Sequence, residues 1–375
     1  MKKADILYYM AIFGVFCINL IDISKIINIE STYRTIIYIA LALMLVIKII
    51  FTKYSKKQII LIALVGLISC YSTYVLNNYM FIINFLAIVG IKGVNIKTVV
   101  KIDIIVKLLF ILIHTSIYFY DYINNYEKVA TTFVYTQMYG IRHGFYFSHP
   151  NTAGGIAIWL AIDIIYVYKN KKMSYIISSF IVLFFYYFTG SRTMLTIYMM
   201  FLVLIFVDRK NPTFFNEKTN IILRYLIDIL AISSILLVLA PRIISNTEVI
   251  DTIDKILSRR LYYSDWAINL YGFNIFPNAD TSILDKNLIV DNFYIRCIIS
   301  YGIIIYLMLS AKFKLVPKNV KDLDRIILII LPFYLFNELF CYNIGRAIAL
   351  LVLANAIFNK KENGETDECK EQKEV

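Results

Sequence analysis

Apolar runs of ~18 or more residues recur along this chain, each long enough to cross the hydrocarbon core of a bilayer. Lipid offers no water to backbone N–H and C=O groups, so such runs must fold as helices that satisfy their own hydrogen bonds. The composition agrees. The chain is 59% hydrophobic and only 17% charged, whereas soluble domains are about a quarter charged. The formal net charge of +12 does not point to nucleic acid, because the basic residues sit in short blocks at the ends of the apolar runs. That placement orients a membrane protein.

The pattern predicts an all-α integral membrane protein of about 12 transmembrane helices, at 5–23, 34–52, 58–76, 79–91, 99–120, 149–168, 174–190, 192–207, 222–240, 291–310, 325–340 and 343–358. The polytopic membrane domain covers 1–358, and 359–375 is a polar cytoplasmic tail read as disordered. The fourth span is short enough to be tilted, broken or re-entrant. The first begins Met1-Lys2-Lys3 and lacks a small-residue cleavage site, so it reads as a retained helix. Cys17, Cys70, Cys297, Cys341 and Cys369 form no CxxC pair and read as packing residues.

More than half of the 38 lysines and arginines fall in one set of alternate connections, including Lys53, Lys56, Lys92, Lys169, Lys171, Arg209, Lys312 and Lys360. The expectation is a multi-pass protein of the cytoplasmic (inner) membrane with both termini cytoplasmic. Two outer connections are long, at 121–148 and 241–290. The large outer loop 241–290 carries Trp266, tyrosines and charges of both signs, so it is expected to fold, with helical turns from Thr247 to Asn269.

Charges inside a bilayer cost free energy and face a cavity or a partner. Asp103 and Lys107 are four apart and can pair along one helix face, and Arg224 and Asp228 repeat the spacing. Arg296 lies on a stripe with Asn292 and Ser300, and Glu338 and Arg346 are candidates to meet it or each other. Asp22, His114 and Asp163 complete the set.

The outer ends of the spans hold the candidate chemistry. Arg142 and His143 end the first long loop. Ser148-His149-Pro150-Asn151 opens the sixth span, with proline at a helix start and Ser148 or His149 as cap. Gly190-Ser191-Arg192-Thr193 breaks the chain tightly between two spans and sets Arg192 near a helix N-terminus, where amides and a guanidinium together suit an anion. Arg259 and Arg260 form a basic pair in the large loop. Asp291 and Asn292 stand where that loop re-enters the membrane, where an acid can also be a simple cap. Arginines, histidines and a carboxylate gathered at membrane level suit a substrate with a lipid tail, an interfacial diphosphate and an external sugar. No outer Asp-x-Asp pair suggests metal-bound nucleotide sugar, and no metal or cofactor is expected.

Phe147-Ser148-His149-Pro150-Asn151-Thr152, then Phe188-Thr189-Gly190-Ser191-Arg192-Thr193, resembles the core of O-antigen/exopolysaccharide polymerases of the Wzy type, relatives of the O-antigen ligases. Arg259-Arg260-Leu261, Val290-Asp291-Asn292-Phe293-Tyr294 and Ser300-Tyr301-Gly302-Ile303 resemble that family's large-loop exit. The resemblance covers roughly 140 to 310 by motif and the whole chain by topology. It implies a GT-C-type glycosyltransferase architecture, a polyprenyl-diphosphate-linked oligosaccharide as donor and acceptor, and departure of polyprenyl diphosphate. By resemblance Arg192 stabilises the leaving diphosphate, Arg259 or Arg260 reaches the same anion, and His149 and Asn151 shape the adjoining site. Asp291 stands where the ligases commonly carry a histidine. The partners implied are membrane lipid, a chain-length regulator and a flippase. An O-antigen ligase or a polysaccharide flippase is the alternative reading.

Overall fold

The computed structural model describes residues 3–136, 140–211, 217–243, 247–256, 260–279, 290–317, 320, 322–339 and 343–358. Arg259, Cys341, Cys369 and the tail 359–375 lie outside them. The elements are α1 (Lys3–Ile21), α2 (Ser31–Ile50), α3 (Lys56–Leu76), α4 (Met80–Gly90), α5 (Ile96–Asn124), α6 (Tyr126–Ala130), β1 (Val134–Thr136), β2 (Gly140–Arg142), α7 (Pro150–Tyr168), α8 (Lys172–Thr189), α9 (Arg192–Lys210), α10 (Glu217–Ile243), α11 (Thr247–Ile256), α12 (Arg260–Tyr271), α13 (Phe293–Arg296), α14 (Ile303–Lys314), α15 (Asp322–Asn337) and α16 (Ala349–Phe358).

The protein is helical, and among the described residues six helices are long and apolar enough to cross a membrane: Ala4–Ile21, Ser31–Ile50, Lys56–Leu76, Pro150–Tyr168, Lys172–Thr189 and Ile221–Arg242. Met80–Gly90 and Ala349–Phe358 are shorter apolar helices. Large apolar side chains such as Ile50, Leu67 and Phe180 stand exposed on these helices, where a lipid surface would cover them. Local sequence sets several ends. Ser55 and Gln58 form a reciprocal cap at the start of α3. Gly190, at φ 58°, takes the left-handed conformation that ends α8.

Twelve spans are expected, and among the described residues the secondary structure also differs from the expected segments at several points. The long loop after α5 is not wholly helical or irregular, because β1 and β2 form an antiparallel hairpin with Val134 opposite Arg142. The expected span 291–310 is broken. α13 is one turn, a π-helical segment follows over Cys297–Tyr301, and Gly302 (φ 85°) interrupts the chain before α14. The expected span 343–358 is helical only from Ala349.

The helices fall into two compact units, Met1–Lys53 with Leu86–Arg209 and Asn343–Leu351, and Tyr54–Phe85 with Lys210–Tyr342 and Val352–Val375. In the first, α1 packs on α2 and α5, α5 on α7, and α7 on α8. α7 is the buried centre, with Gly154, Gly155 and Ala157 letting neighbours approach. Lys48 of α2 lies 3.5 Å from Asp5, while Arg34 lies 3.2 Å from Asp22. These pairs mark opposite ends of the antiparallel α1–α2 pair. The expected Asp103–Lys107 pair forms, at 2.6 Å, and Lys107 also lies 2.7 Å from Asp163 on α7.

In the second unit α10 packs on α12, α14 and α15. A core of Val238, Leu261, Ala267, Ile268, Val290, Ile295, Ile298 and Ile299 fixes α12 of the large loop against the broken span. The loop segment after α12 then repairs the break. Asn274 N–H donates to Ile298 O and Asn278 N–H to Ser300 O, while the N–H groups of Ile303 and Ile304 donate to Asn274 O and Ile275 O. The backbone groups that the break frees are satisfied by chain rather than water. The expected Arg224–Asp228 pair does not form. Arg224 donates twice to Val316 O, at 3.0 and 2.6 Å. Asp228 accepts from Tyr306 and Ser310 and pairs with Lys314 at 3.2 Å. Both side chains gain more by joining helices than by bridging one turn of α10.

Candidate functional site

At one end of the first unit, the close of α5, the hairpin, the start of α7 and the α8–α9 turn come together. Pro150 opens α7 and His149 caps it, its Nδ1 accepting from the Asn151 N–H at 3.1 Å. That fixes Asn151 in the first turn. The hairpin exit is pinned to α8 by the His143 N–H donating to Phe188 O at 2.9 Å. Arg142 then spans two elements: its Nε donates to Thr189 O at 2.6 Å and its Nη2 to Asn151 Oδ1 at 2.5 Å. A guanidinium held at both ends keeps one orientation.

Arg192 is the first residue of α9, directly after the Gly190 turn. A Cβ at Gly154 would lie 3.0 Å from Ser191 Cβ, so the residue before Arg192 rests against the early turns of α7. This single neighbourhood therefore takes in Arg142, His149, Asn151 and the backbone that carries Arg192. Two grooves open beside it. One, about 360 Å³, is lined by Ile141, Arg142, Leu183, Tyr186, Tyr187, Phe188 and Gly190. The other, about 450 Å³, is lined by Tyr118, Phe119, Tyr122, Ile141, His143, Tyr187 and Phe188.

His143 Nδ1 hydrogen-bonds the Tyr118 hydroxyl, and burial holds its imidazolium below the ordinary histidine range. Tyr146 donates to Asp121 at 2.7 Å, and its hydroxyl is pushed up to about 12 by burial and by that carboxylate. Phe145 and Tyr146 both have positive φ, 49° and 60°. Backbone bonds from Lys25 to Tyr146 O and from Ser148 to Ile23 O hold this strained turn, both at 2.8 Å.

The second unit holds the other predicted residues. Asn292, not Asp291, caps α13, its Oδ1 accepting from Tyr294 N–H at 2.9 Å and Ile295 N–H at 3.2 Å. The Asp291 carboxylate is thereby free to face Arg260, at 3.2 Å. Arg260 also lies 2.9 Å from Glu338. Two carboxylates share one guanidinium, all three partly shielded. Arg296 is 4% exposed and lies over the Tyr301 ring at 5.7 Å. Among the described residues no group of three His, Cys, Asp or Glu is placed to hold a metal ion.

Comparison of the chain with protein-family models, with curated proteins and with solved structures finds no match.

Sequence reasoning missed the aromatic floor beneath His143. Tyr118 and Tyr122 are four apart on α5, so a helical projection would have put both on one face. It also missed Glu338 as the second holder of Arg260, for which no local signal exists.

Proposed function

We propose that the chain is a polysaccharide polymerase of the Wzy type. It joins polyprenyl-diphosphate-linked oligosaccharide repeat units at the outer face of the cytoplasmic membrane, through about 12 spans with both termini inside and a GT-C-type architecture. The observation that carries this reading is the Arg142 guanidinium, clamped between Asn151 and Thr189 beside the start of α9 where Arg192 stands. Fixed guanidinium groups and helix-start amides favour a phosphate anion and need little reorganisation as charge develops.

In the reaction, a sugar hydroxyl of one unit attacks the anomeric carbon of another. The bond from that carbon to the diphosphate oxygen breaks, and its electron pair leaves with the polyprenyl diphosphate. Arg192 stabilises that departing charge, Arg142 and Asn151 shape the ground around it, and His149 positions Asn151. Asp291 is assigned the hydroxyl proton by its place in the resemblance; Asn292, not Asp291, does the capping, and the Asp291 carboxylate pairs with Arg260. Arg260 orients that carboxylate.

The test is incubation of the purified protein with lipid-linked repeat units. A ladder of product lengths is expected, and Arg192→Ala is expected to abolish it while still inserting. Full-length polymer from that variant refutes the role of Arg192, and movement of the lipid between leaflets without new glycosidic bonds refutes the polymerase.

A further inference from the structure

The two grooves of the first unit differ in chemistry. The one containing Arg142 is otherwise mostly Ile141, Leu183 and aromatic rings. Its neighbour places an imidazole and three tyrosines among two phenylalanines and Ile141. Mixed lining of this kind is more than a hydrocarbon chain needs. Ring faces receive the C–H side of a pyranose, while phenol and imidazole groups meet its hydroxyls. The volume, about 450 Å³, falls in the range of small-molecule sites.

His143 is prepared for such a contact. Tyr118 occupies Nδ1, the backbone N–H is tied to Phe188 O, and the ring packs edge-on against Phe133, 4.9 Å away, and against Phe188, 5.6 Å away. Among the described residues Nε2 takes no hydrogen-bond partner, and His143 lines the groove. Tyr187 is 80% exposed and Tyr122 41%, so neither ring is there to fill a core. Interfacial tyrosines commonly anchor a helix at the headgroups, but anchoring does not require two of them to share a groove with an oriented histidine.

We infer that the groove walled by Tyr118, Tyr122, His143 and Tyr187 binds sugar rings of the lipid-linked glycan, with His143 Nε2 meeting a sugar hydroxyl. The inference rests on the polymerase reading for the identity of that glycan. The groove shares Ile141, Tyr187 and Phe188 with the one that holds Arg142. The sugar subsite and the guanidinium are therefore adjacent, as a molecule joining sugar to phosphate requires.

The test uses the full chain in the cells that carry it. Tyr187→p-benzoylphenylalanine and Tyr122→p-benzoylphenylalanine are irradiated, with Tyr168→p-benzoylphenylalanine at the far end of α7 as reference, and the adducts are read by mass spectrometry. Sugar-bearing adducts at 187 and 122 above the reference are expected. Adducts of lipid mass only, or none above the reference, overturn the proposal. Tyr187→Ala guards against a loss caused by the bulky probe, and should raise the repeat-unit concentration needed for half-maximal rate about tenfold. An unchanged requirement also overturns the proposal. Sugar adducts from a protein that makes no ladder would keep the groove and refute the polymerase; a ladder with lipid adducts alone would do the reverse.

Discussion

The Lys107 ammonium on α5 lies 2.7 Å from the Asp163 carboxylate on α7, and neither side chain has any exposure. Asp103, equally buried, holds the same ammonium from one turn away at 2.6 Å. One cation thus serves two carboxylates at the centre of the first unit. Removing one member of a buried ion cluster leaves charge without compensation, which costs about 3–5 kcal/mol. Lys107→Met should therefore destabilise by about that amount, seen as a lowered thermal midpoint and a poor yield of monodisperse protein in detergent. Asp163→Asn leaves the Asp103–Lys107 pair intact and should cost less. Equal midpoints for wild type and Lys107→Met would show that the cluster contributes nothing to stability.

Gly302 makes a second, purely steric prediction. Its φ of 85° is one that side-chain-bearing residues rarely adopt. A Cβ there would lie 2.6 Å from Phe276 C and 2.7 Å from Ile275 O, backbone atoms that cannot rotate away. Gly302→Ala should displace the segment that repairs the broken span, at a cost of about 1–3 kcal/mol for the backbone strain alone. Amide exchange at Asn274, Ile303 and Ile304 should accelerate while the amides of α7 stay protected. Unchanged exchange at those three positions would contradict the docked segment.

Asp291 and Glu338 both hold Arg260, yet only Asp291 is assigned the proton. Asp291→Asn should lower the elongation rate by about 10²–10⁴, the usual contribution of a positioned base. Glu338→Gln keeps the Asp291 carboxylate and one hydrogen bond to Arg260, and should lower the rate only several-fold. Initial rates with lipid-linked repeat units, at matched amounts of folded protein, separate the two. Similar losses would assign both carboxylates to holding Arg260.

Hydropathy made most of the helices legible, since an apolar run in lipid has little choice but to coil. The expected spans 5–23, 34–52 and 149–168 meet α1, α2 and α7 within a few residues. The break at 297–302 was hidden because Ile295, Ile298, Ile299 and Ile303 read as one continuous helix, and Gly302 alone is a weak signal. Within the site, the His149–Pro150 helix start and the Gly190 turn were legible because capping is local. Partners distant in sequence were not. Lys107 finds Asp163 56 residues away, and Arg260 finds Glu338 78 residues away. A spacing rule within one helix cannot see either, and it misassigned Arg224 and Asp228 for the same reason.

His143 supplies a pH dependence whose sign follows from its surroundings. Burial favours the neutral ring in the folded protein, so its folded pKa lies below the unfolded value of about 6.5. Below about pH 6.5 the unfolded chain binds more protons at this position than the folded one. The stability it contributes is therefore present above that pH and lost as pH falls toward the folded pKa. His143→Gln keeps a side-chain acceptor near the Tyr118 hydroxyl but cannot titrate. Thermal midpoints measured from about pH 7.5 down to about pH 5 should fall more steeply for wild type than for His143→Gln, with the curves parting near the histidine range. Parallel curves would mean that the ring is solvated in the folded state. The groove beneath Tyr187 would then lack the fixed neutral imidazole that the sugar contact requires.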